Sequence, residues 1–247
     1  MSWKPQFRSR HRPTATVPEG IRIYAIGDIH GRADLLAAMF ARIDADRANF
    51  PAEKAIHVFL GDYIDRGSSS RDVLDLLIKR RSQYPATYLK GNHESYLLEF
   101  LKNPTVLAEW RLYGGADTLR SYGLAPPLNP DEKECAVLAS RLDQVLPEAH
   151  RRFLGALALS FTCGDFFFVH AGVRPGIALA RQAQTDLLWI REEFLLHERA
   201  YEKTIVHGHT PVVEPDIRPN RINIDTGAYA TGRLTCLVLE RSHIRFI

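Results

Sequence analysis

The segment IRIYAIGDIHG, residues 21–31, joins an apolar strand pattern to a polar cluster that follows it directly. Residues 21–26 are typical of a β-strand, and apolar side chains at helical spacing predict a helix over residues 33–48. The same order recurs, with a strand at 55–60, a helix at 71–81 and a third strand at 87–90. This βαβαβ order predicts a mainly parallel sheet with helices packed on it.

The rest of the chain divides into a helical middle and a strand-rich last third. Residues 97–160 are rich in leucine and alanine at helical spacing, which predicts a helical insertion or cap. Strand patterns return at 166–170, 204–207, 221–225, 234–239 and 243–247. We therefore expect an α/β fold of the α+β sandwich kind, a central β-sandwich flanked by helices, as a single domain over residues 19–247. Residues 1–18, basic and with three prolines, are expected to form a flexible tail.

The composition is that of an ordinary globular protein. Of 247 residues, 45% are hydrophobic and 25% charged, and a net charge of +3 is too weak to favour a nucleic-acid polymer as partner. Three scattered cysteines show no metal-type spacing and no disulfide framework, which favours core thiols in a reducing compartment. No apolar run approaches the roughly 18 residues of a membrane helix, and residues 1–18 lack the apolar stretch of a signal peptide. We expect a cytoplasmic protein without a membrane partner.

Polar clusters follow five of the predicted strands. They are Gly27–Gly31 (GDIHG), Gly61–Gly67 (GDYIDRG), Gly91–Glu94 (GNHE), His170–Gly172 (HAG) and Gly208–Pro211 (GHTP). Each alone could be a turn or a helix cap, because Asp, Asn and Gly favour turns. Five clusters at the same topological position are far harder to explain in that way, because the carboxyl ends of strands are where open α/β sheets build their sites. The sequence therefore predicts one site at this edge.

The side chains of these clusters predict a two-metal centre. They supply carboxylates, an amide and imidazoles, which suit manganese, iron or zinc, and the absence of cysteine argues against a structural zinc site. Two divalent ions roughly 3.5–4 Å apart clamp a phosphoryl group and activate a water. Arg66, within the second cluster, can meet phosphate oxygens through two parallel hydrogen bonds.

The five motifs together resemble the phosphoprotein phosphatase (PPP) family of serine/threonine protein phosphatases, above all its bacterial and phage-type members, within the calcineurin-like metallophosphoesterase superfamily. The resemblance covers roughly residues 21–239, is sharpest before Glu94 and is weak over about 97–160. It implies the calcineurin-like metallophosphoesterase fold. It also implies two divalent metals per chain, with Mn²⁺ preferred and Fe, Zn, Ni or Co as alternatives.

The resemblance assigns metal ligands position by position. It implies that Asp28 and His30 bind the first metal and that Asp62 bridges both. The ligands that it implies for the second metal are Asn92, His170 and His209. His207 is a rival to His209, because residues two apart on a strand share a face and alternation cannot separate them. The family pattern places the ligand in the GHT motif, which selects His209.

The resemblance also assigns catalytic and phosphate-binding roles. His93 resembles the general acid that protonates the leaving alkoxide, and Asp65 the carboxylate that orients it. A histidine paired with a carboxylate can be protonated near neutral pH, as an acid must be. Arg66, Arg191 and Asn92 resemble the groups that bind the phosphate. Arg191 lies in the charged stretch REE, where a plain surface role is the alternative.

The leading hypothesis is a serine/threonine protein phosphatase that uses a metal-bridging hydroxide on a phosphorylated protein or small phosphoester. Its rival is a symmetrical diadenosine tetraphosphate hydrolase, or another nucleotide phosphohydrolase, which resembles the same family. Asp65 and Glu94 favour the phosphatase branch. A cyclic nucleotide phosphodiesterase is disfavoured because Pro211 stands where a second histidine would be. A catalytically inactive binding module is disfavoured because no implied ligand is missing. The sequence makes no prediction of oligomeric state.

Overall fold

Two five-stranded sheets organise the computed structural model, which describes residues 15–247. The first has the strand order β10-β9-β1-β2-β3 and the second β4-β5-β6-β8-β7. The strands are β1 Ile21–Ile26, β2 Lys54–Phe59, β3 Ala86–Tyr88, β4 Ser160–Cys163, β5 Phe166–Val169, β6 Thr204–His207, β7 Asp216–Ile217, β8 Arg221–Asn223, β9 Cys236–Glu240 and β10 His243–Phe246. Strands β1, β2 and β3 are parallel, whereas β9 runs antiparallel to β1, so the predicted mainly parallel sheet is mixed.

Helices cover the outer faces of the sheets. They are α1 Ala33–Asn49, α2 Ser70–Arg81, α3 Asn92–Phe100, α4 Leu107–Leu112, α5 Gly115–Ser121, α6 Glu132–Val145, α7 Glu148–Gly155, α8 Gln184–Trp189, α9 Glu192–Leu195 and α10 Ala228–Thr231. Short 3-10 turns lie at Pro104–Val106 and Leu179–Arg181. The predicted helical insertion is present as α4 to α7, between β3 and β4. The predicted sandwich with flanking helices and a helical insertion is confirmed.

Side-chain alternation along the central strands builds two cores at once. Ile23 and Ala25 of β1 face the second sheet, where they pack in one cluster with Phe168 and Val206. Tyr24 and its alternate neighbours face the helices instead, because successive strand residues point to opposite faces. A third, smaller cluster packs the outer face of the second sheet against α8 and α9. The central strands are thus buried on both faces, which fixes their register.

The packed chain begins earlier than predicted. Residues 1–14 of the predicted tail lie outside the described residues. Val17 is buried and its amide donates to the carbonyl of Arg241 at 2.9 Å, while the Thr16 amide donates to Asp165 at 3.0 Å. The predicted domain boundary at residue 19 is therefore at least three residues too late.

The three cysteines, Cys135, Cys163 and Cys236, are buried and unpaired, as predicted. No helix of residues 15–247 is long and apolar enough to cross a membrane.

Candidate metal centre

Both sheets deliver polar loops to one edge of the sandwich. Strands β1, β2 and β3 end there in parallel, and so do β5, β6 and β8 of the other sheet. The loops are tied together by backbone hydrogen bonds, in which the amide of His30 donates to the carbonyl of Asp62 at 2.8 Å. Across the sheets, the His170 imidazole contacts the carbonyl of Leu60 at 2.9 Å. Side chains far apart in the sequence are thereby brought to one place.

Three electron-pair donors converge at the second-sheet side of this edge. The Nε2 atom of His170 lies 2.9 Å from Oδ1 of Asn92 and 3.2 Å from Nδ1 of His209. Because the His170 Nδ1–H donates to Leu60, the Nε2 atom of the neutral ring carries a lone pair and not a proton. This lone pair faces the amide oxygen of Asn92 in a buried space, an arrangement that a cation between the two atoms would stabilise. The predicted ligands of the second metal therefore fit one.

Asp62 lies between two groups of histidines. Its Oδ2 atom is 3.5 Å from Nε2 of His30 and 3.6 Å from Nε2 of His93, and its Oδ1 atom is 3.4 Å from Nε2 of His170. Two clusters of ligating atoms form in this way, one with His30 and one with His170 and His209, and Asp62 belongs to both. Its two oxygens thus face different clusters, which suits the bridging position.

Asp28 completes the site from the β1 loop. Its Oδ2 atom accepts a hydrogen bond from the amide of His209 at 2.9 Å, whereas its Oδ1 atom is buried without a hydrogen-bond partner. The neighbouring residue 208 must be glycine, because a Cβ atom on Gly208 would lie 2.1 Å from Oδ1 of Asp28. An orphaned carboxylate oxygen in a space kept open by glycine fits a metal ligand.

Burial sets the charge of these groups. It lowers the pKa of His30 to about 3 and that of His209 to about 2, so both rings are neutral, which is the form that binds metals. Burial, with the nearby Asp225 and Asp62, raises the pKa of Asp28. Buried carboxylates crowded in this way are stabilised by positive charge, which two divalent ions supply.

His93 and Asp65 form a buried pair. The Nδ1 atom of His93 lies 2.6 Å from Oδ2 of Asp65. Burial would lower the pKa of His93, but the carboxylates of Asp62 and Asp65 outweigh it and raise the pKa. The ring is therefore suited to hold a proton on Nε2 at the edge of the metal centre. Asn92 and His93 are the first two residues of α3, so helix geometry fixes their relative placement.

The two predicted phosphate-binding arginines differ in their surroundings. The half-buried Arg66 guanidinium stacks on the Tyr229 ring, 4.6 Å from its centroid, and that ring lies 5.3 Å from His30. Arg191 is exposed, yet its positive charge contributes to lowering the pKa of His170 and of His209, which places it near the second cluster. The phosphate-binding role of both arginines stays a prediction.

The backbone of the site is strained. Within residues 15–247, six non-glycine residues have positive φ, and five of them belong to the predicted site: His30, Asp62, Asp65, Arg66 and His209. Left-handed backbone at non-glycine residues is uncommon and costs free energy, so it persists only where the surroundings impose it. Its concentration here marks a functional edge.

Three side chains at or next to the site were not predicted from the sequence. The Trp110 Nε1–H and the Thr118 hydroxyl, both from the helical insertion, donate to the Asp65 carboxylate. Asp225 lies just after β8, in the position that marked the five clusters, and was not singled out. Trp110 and Thr118 carry no such signal, because they lie 45 and 53 residues from Asp65.

Side-chain direction separates His207 from His209 and shows what Glu94 contacts. His207 points away from the ligands and packs 4.8 Å from the ring of Phe194, so His209 is the residue within reach of the cluster. Glu94 accepts hydrogen bonds from the amides of Asp62, Tyr63 and Gly91 at 2.8–3.0 Å, which makes it a support of the loops.

The fold and the site are those of a metal-dependent phosphoesterase. The family described as calcineurin-like phosphoesterase matches residues 21–243, and the chain belongs to this family. A relative from Anoxybacillus flavithermus, named bis(5′-nucleosyl)-tetraphosphatase PrpE (asymmetrical), is 27% identical over 231 residues, which cover 86% of this chain and 88% of the relative.

Two further comparisons bear on the predicted preference for a protein phosphatase over a nucleotide hydrolase. A protein from Schizosaccharomyces pombe, assigned as a candidate serine/threonine-protein phosphatase, is 43% identical, but over only 75 residues, which cover 30% of this chain and 22% of the relative. The solved structure of a candidate diadenosine tetraphosphatase covers 96% of this chain and 95% of its own, with a TM-score of 0.61 and 19% identity. That likeness shows the fold. Neighbours of the PPP type exist, but relatives that match over most of this chain, such as the one from Anoxybacillus flavithermus, carry the tetraphosphatase name.

Proposed function

We propose that this chain hydrolyses a phosphoanhydride bond of dinucleoside polyphosphates, with bis(5′-nucleosyl) tetraphosphates as the substrate class. The observation that carries the proposal is the extent of the similarity. Relatives named for that activity match across 86% of the chain, whereas the candidate protein phosphatase matches across 30%. This reverses the preference that Asp65 and Glu94 gave from sequence. A bimetal centre of this kind can cleave both anhydrides and esters, so those two residues do not decide the substrate.

Each predicted residue has a task in this reaction. Asp28, His30, Asp62, Asn92, His170 and His209 would hold two divalent ions, of which Mn²⁺ is the one we expect. When bound, the ions supply Lewis acidity and an activated water. Arg66 and Arg191 bind phosphate oxygens and, with Asn92, orient the reacting phosphorus in line with the water.

The leaving group is a phosphate chain. Water adds its oxygen to phosphorus as the bridging P–O bond breaks, and the electron pair of that bond goes to the departing phosphate. His93 donates the proton from Nε2 when the leaving oxygen needs one, while Asp65 accepts the Nδ1–H and holds the ring in place. We propose asymmetrical cleavage, into a nucleoside monophosphate and a triphosphate, in place of the symmetrical cleavage that the sequence suggested.

The test compares substrates on one preparation. Metal-stripped protein is assayed with and without Mn²⁺ on diadenosine tetraphosphate, a phosphoserine peptide and p-nitrophenyl phosphate. We expect metal-dependent turnover with kcat/KM at least about tenfold higher for the dinucleotide than for the peptide, and AMP and ATP as products. Two molecules of ADP would show symmetrical cleavage. A higher kcat/KM for the peptide would reject the proposal in favour of a protein phosphatase.

The variant Asp62→Asn is the matched negative control. Removing the shared carboxylate weakens both metal clusters, so we expect loss of bound manganese and of all three activities. Full activity with retained metal would overturn the two-metal assignment.

A further inference from the structure

Three aromatic rings contact one another beside the metal centre. The ring of Tyr96 in α3 stacks on that of Tyr113 at 5.3 Å, and the Trp189 ring lies 5.5 Å from Tyr96 and 6.0 Å from Tyr113. All three side chains are half-buried, unlike the fully buried Trp110 of the core. We name Tyr96, Tyr113 and Trp189 the aromatic wall. Its surface is partly open to a ligand.

The aromatic wall lies next to the predicted metal ligands and the predicted acid. The Trp189 ring lies 6.1 Å from that of His209, a predicted metal ligand. The Tyr113 ring lies 6.1 Å from that of His93, the predicted acid. A substrate whose phosphate sits at the centre would therefore carry its next group onto these rings.

A cation lies beside one ring of the aromatic wall. Arg191 follows Trp189 by two residues, and both line a cavity of about 510 Å³, which Asp186, Glu192 and Glu193 also line. The neighbouring Arg174 is held by Asp186 and Glu193, whereas no acidic residue among those described lies within ion-pair distance of Arg191. An aromatic surface beside an available guanidinium matches a ligand that joins a flat ring to phosphates.

The wall is preformed. The Tyr96 hydroxyl donates to the Glu109 carboxylate, which links α3 to α4 and fixes the ring. Tyr113 directly follows α4, and Trp189 is the last residue of α8, so each ring stands at or near a helix end. The Trp189 ring meets Tyr96 at 88° and Tyr113 at 66°, so neither tyrosine stacks parallel on it. Because this surface is already ordered, binding a planar ligand ring costs little side-chain conformational entropy.

We infer that the aromatic wall is a nucleobase-binding subsite, in which a base of the substrate stacks on Trp189 while its phosphates reach the metal centre. The inference rests on the proposed function and adds the residues that select nucleotides over simple phosphate esters. Stacking of a base on an aromatic side chain contributes about 1–3 kcal/mol, a factor of about 5–150 in affinity.

The test uses two ligands that differ only in the base, AMP and ribose 5-phosphate. Manganese-loaded protein is titrated with each, and binding is followed by competition with p-nitrophenyl phosphate. Independently of turnover, quenching of tryptophan fluorescence is recorded within seconds of mixing. We expect AMP to bind about 5- to 150-fold more tightly, and Trp189→Ala to bring this ratio close to one. Leu112→Ala, an 83% exposed side chain next to Tyr113 but outside the wall, should leave it unchanged.

The ratio separates stacking from structural damage. A change that only disturbed the site would weaken both ligands equally. A wild-type ratio near one, or a high ratio that survives in Trp189→Ala, would overturn the inference. If the ratio behaves as expected but the dinucleotide is not hydrolysed, the subsite stands and the proposed function fails. If the dinucleotide is hydrolysed without any base preference, the opposite holds. Tighter binding of an aromatic phosphopeptide than of AMP would assign the wall to peptides instead.

Discussion

The hydrogen bond between His93 and Asp65, at 2.6 Å, fixes the orientation of the ring that we propose as the proton donor. His93 is also one of the side chains that face Asp62, at 3.6 Å, so geometry alone allows it to act as acid or as ligand. The two roles differ in what they do to metal content and to the leaving group, which makes them separable by measurement.

We expect His93→Asn to lower kcat by roughly 10²–10⁴-fold for a substrate with a poor leaving group, with bound manganese unchanged. The loss should be much smaller for p-nitrophenyl phosphate, whose leaving group departs without a proton. Kinetics on a series of phosphate esters, with metal analysis of the same samples, measures both. Loss of manganese from the variant would make His93 a ligand and not the acid.

Gly208 offers a second residue-scale prediction. An added methyl group would lie 2.1 Å from the Oδ1 atom of Asp28, so Gly208→Ala should displace that carboxylate and weaken manganese binding and kcat at least about tenfold. Gly155→Ala in α7 is the matched control, because nothing lies within 4 Å of its added methyl group. Metal titration of both variants checks this, and equal affinities would show that Asp28 does not bind a metal.

At the scale of elements, α4 and α5 of the insertion together hold the Asp65 carboxylate of the pair. The Thr118 hydroxyl donates to one oxygen of Asp65, and the Trp110 indole donates to the other at 2.7 Å. Asp65 is fully buried, so each lost partner leaves a carboxylate oxygen short of a hydrogen bond.

Thr118→Val should therefore lower kcat about tenfold and the free energy of unfolding by about 1–3 kcal/mol, while KM and manganese content stay close to wild type. Thr118→Ser keeps the hydroxyl and should recover most of kcat. Steady-state kinetics and urea unfolding of both variants give the comparison. If Val and Ser lowered kcat alike, loss of the hydroxyl alone would not explain the effect, and the packing around residue 118 would be responsible instead.

The sequence predicts elements unevenly, for physical reasons. Strands β1 and β6 have the predicted bounds, because their side chains are almost all buried and are rich in β-branched residues. Strand β4, with the exposed Thr162, and the two-residue β7 were not predicted, since neither has a sufficient apolar pattern. The loops that carry the predicted metal ligands were predicted because they directly follow strands. The anchors of Asp65 were not, because contacts across 45–53 residues leave no local pattern.

At the scale of the whole molecule, the candidate metal centre lies between the two sheets and takes its predicted ligands from both. Asp28, Asp62 and Asn92 follow strands of the first sheet, whereas His170 and His209 follow strands of the second. Ions held by both sets of ligands would bind the folded chain and not the unfolded one.

Metal removal should therefore lower the melting temperature. At manganese one hundredfold above its Kd, one bound ion stabilises the fold by about 2.7 kcal/mol, or roughly 5–11 °C for a chain of this size. Thermal unfolding with manganese and with chelator measures the shift, which should vanish in Asp62→Asn. An equal shift in that variant would place the stabilising ion elsewhere.

The pH dependence of stability has a contribution from His57, on the helix-facing side of β2. Burial, with the charges of Arg80 and Arg47, lowers the pKa of His57 to about 3, whereas the unfolded side chain titrates near 6.5. Between these values the unfolded chain binds the extra proton. The contribution is therefore complete above pH 6.5 and is lost as the pH falls towards 3, by up to about 1.4 kcal/mol per pH unit.

His57→Phe removes this titration. Urea unfolding at pH 7, 6 and 5 should show a stability that falls less steeply in the variant than in the wild type. Parallel profiles would mean that the buried ring takes up its proton without unfolding.

The insertion between β3 and β4 contributes two things of different kinds: the donors that fix Asp65 and one ring of the aromatic wall, Tyr113. For protein engineering, this means that substrate preference and catalytic rate both depend on one segment of the chain. An insertion transplanted from another phosphoesterase to change which molecule is cleaved would also remove the anchors of the proton donor. A successful graft would have to keep an indole and a hydroxyl at the places of Trp110 and Thr118 and vary only the outward-facing ring.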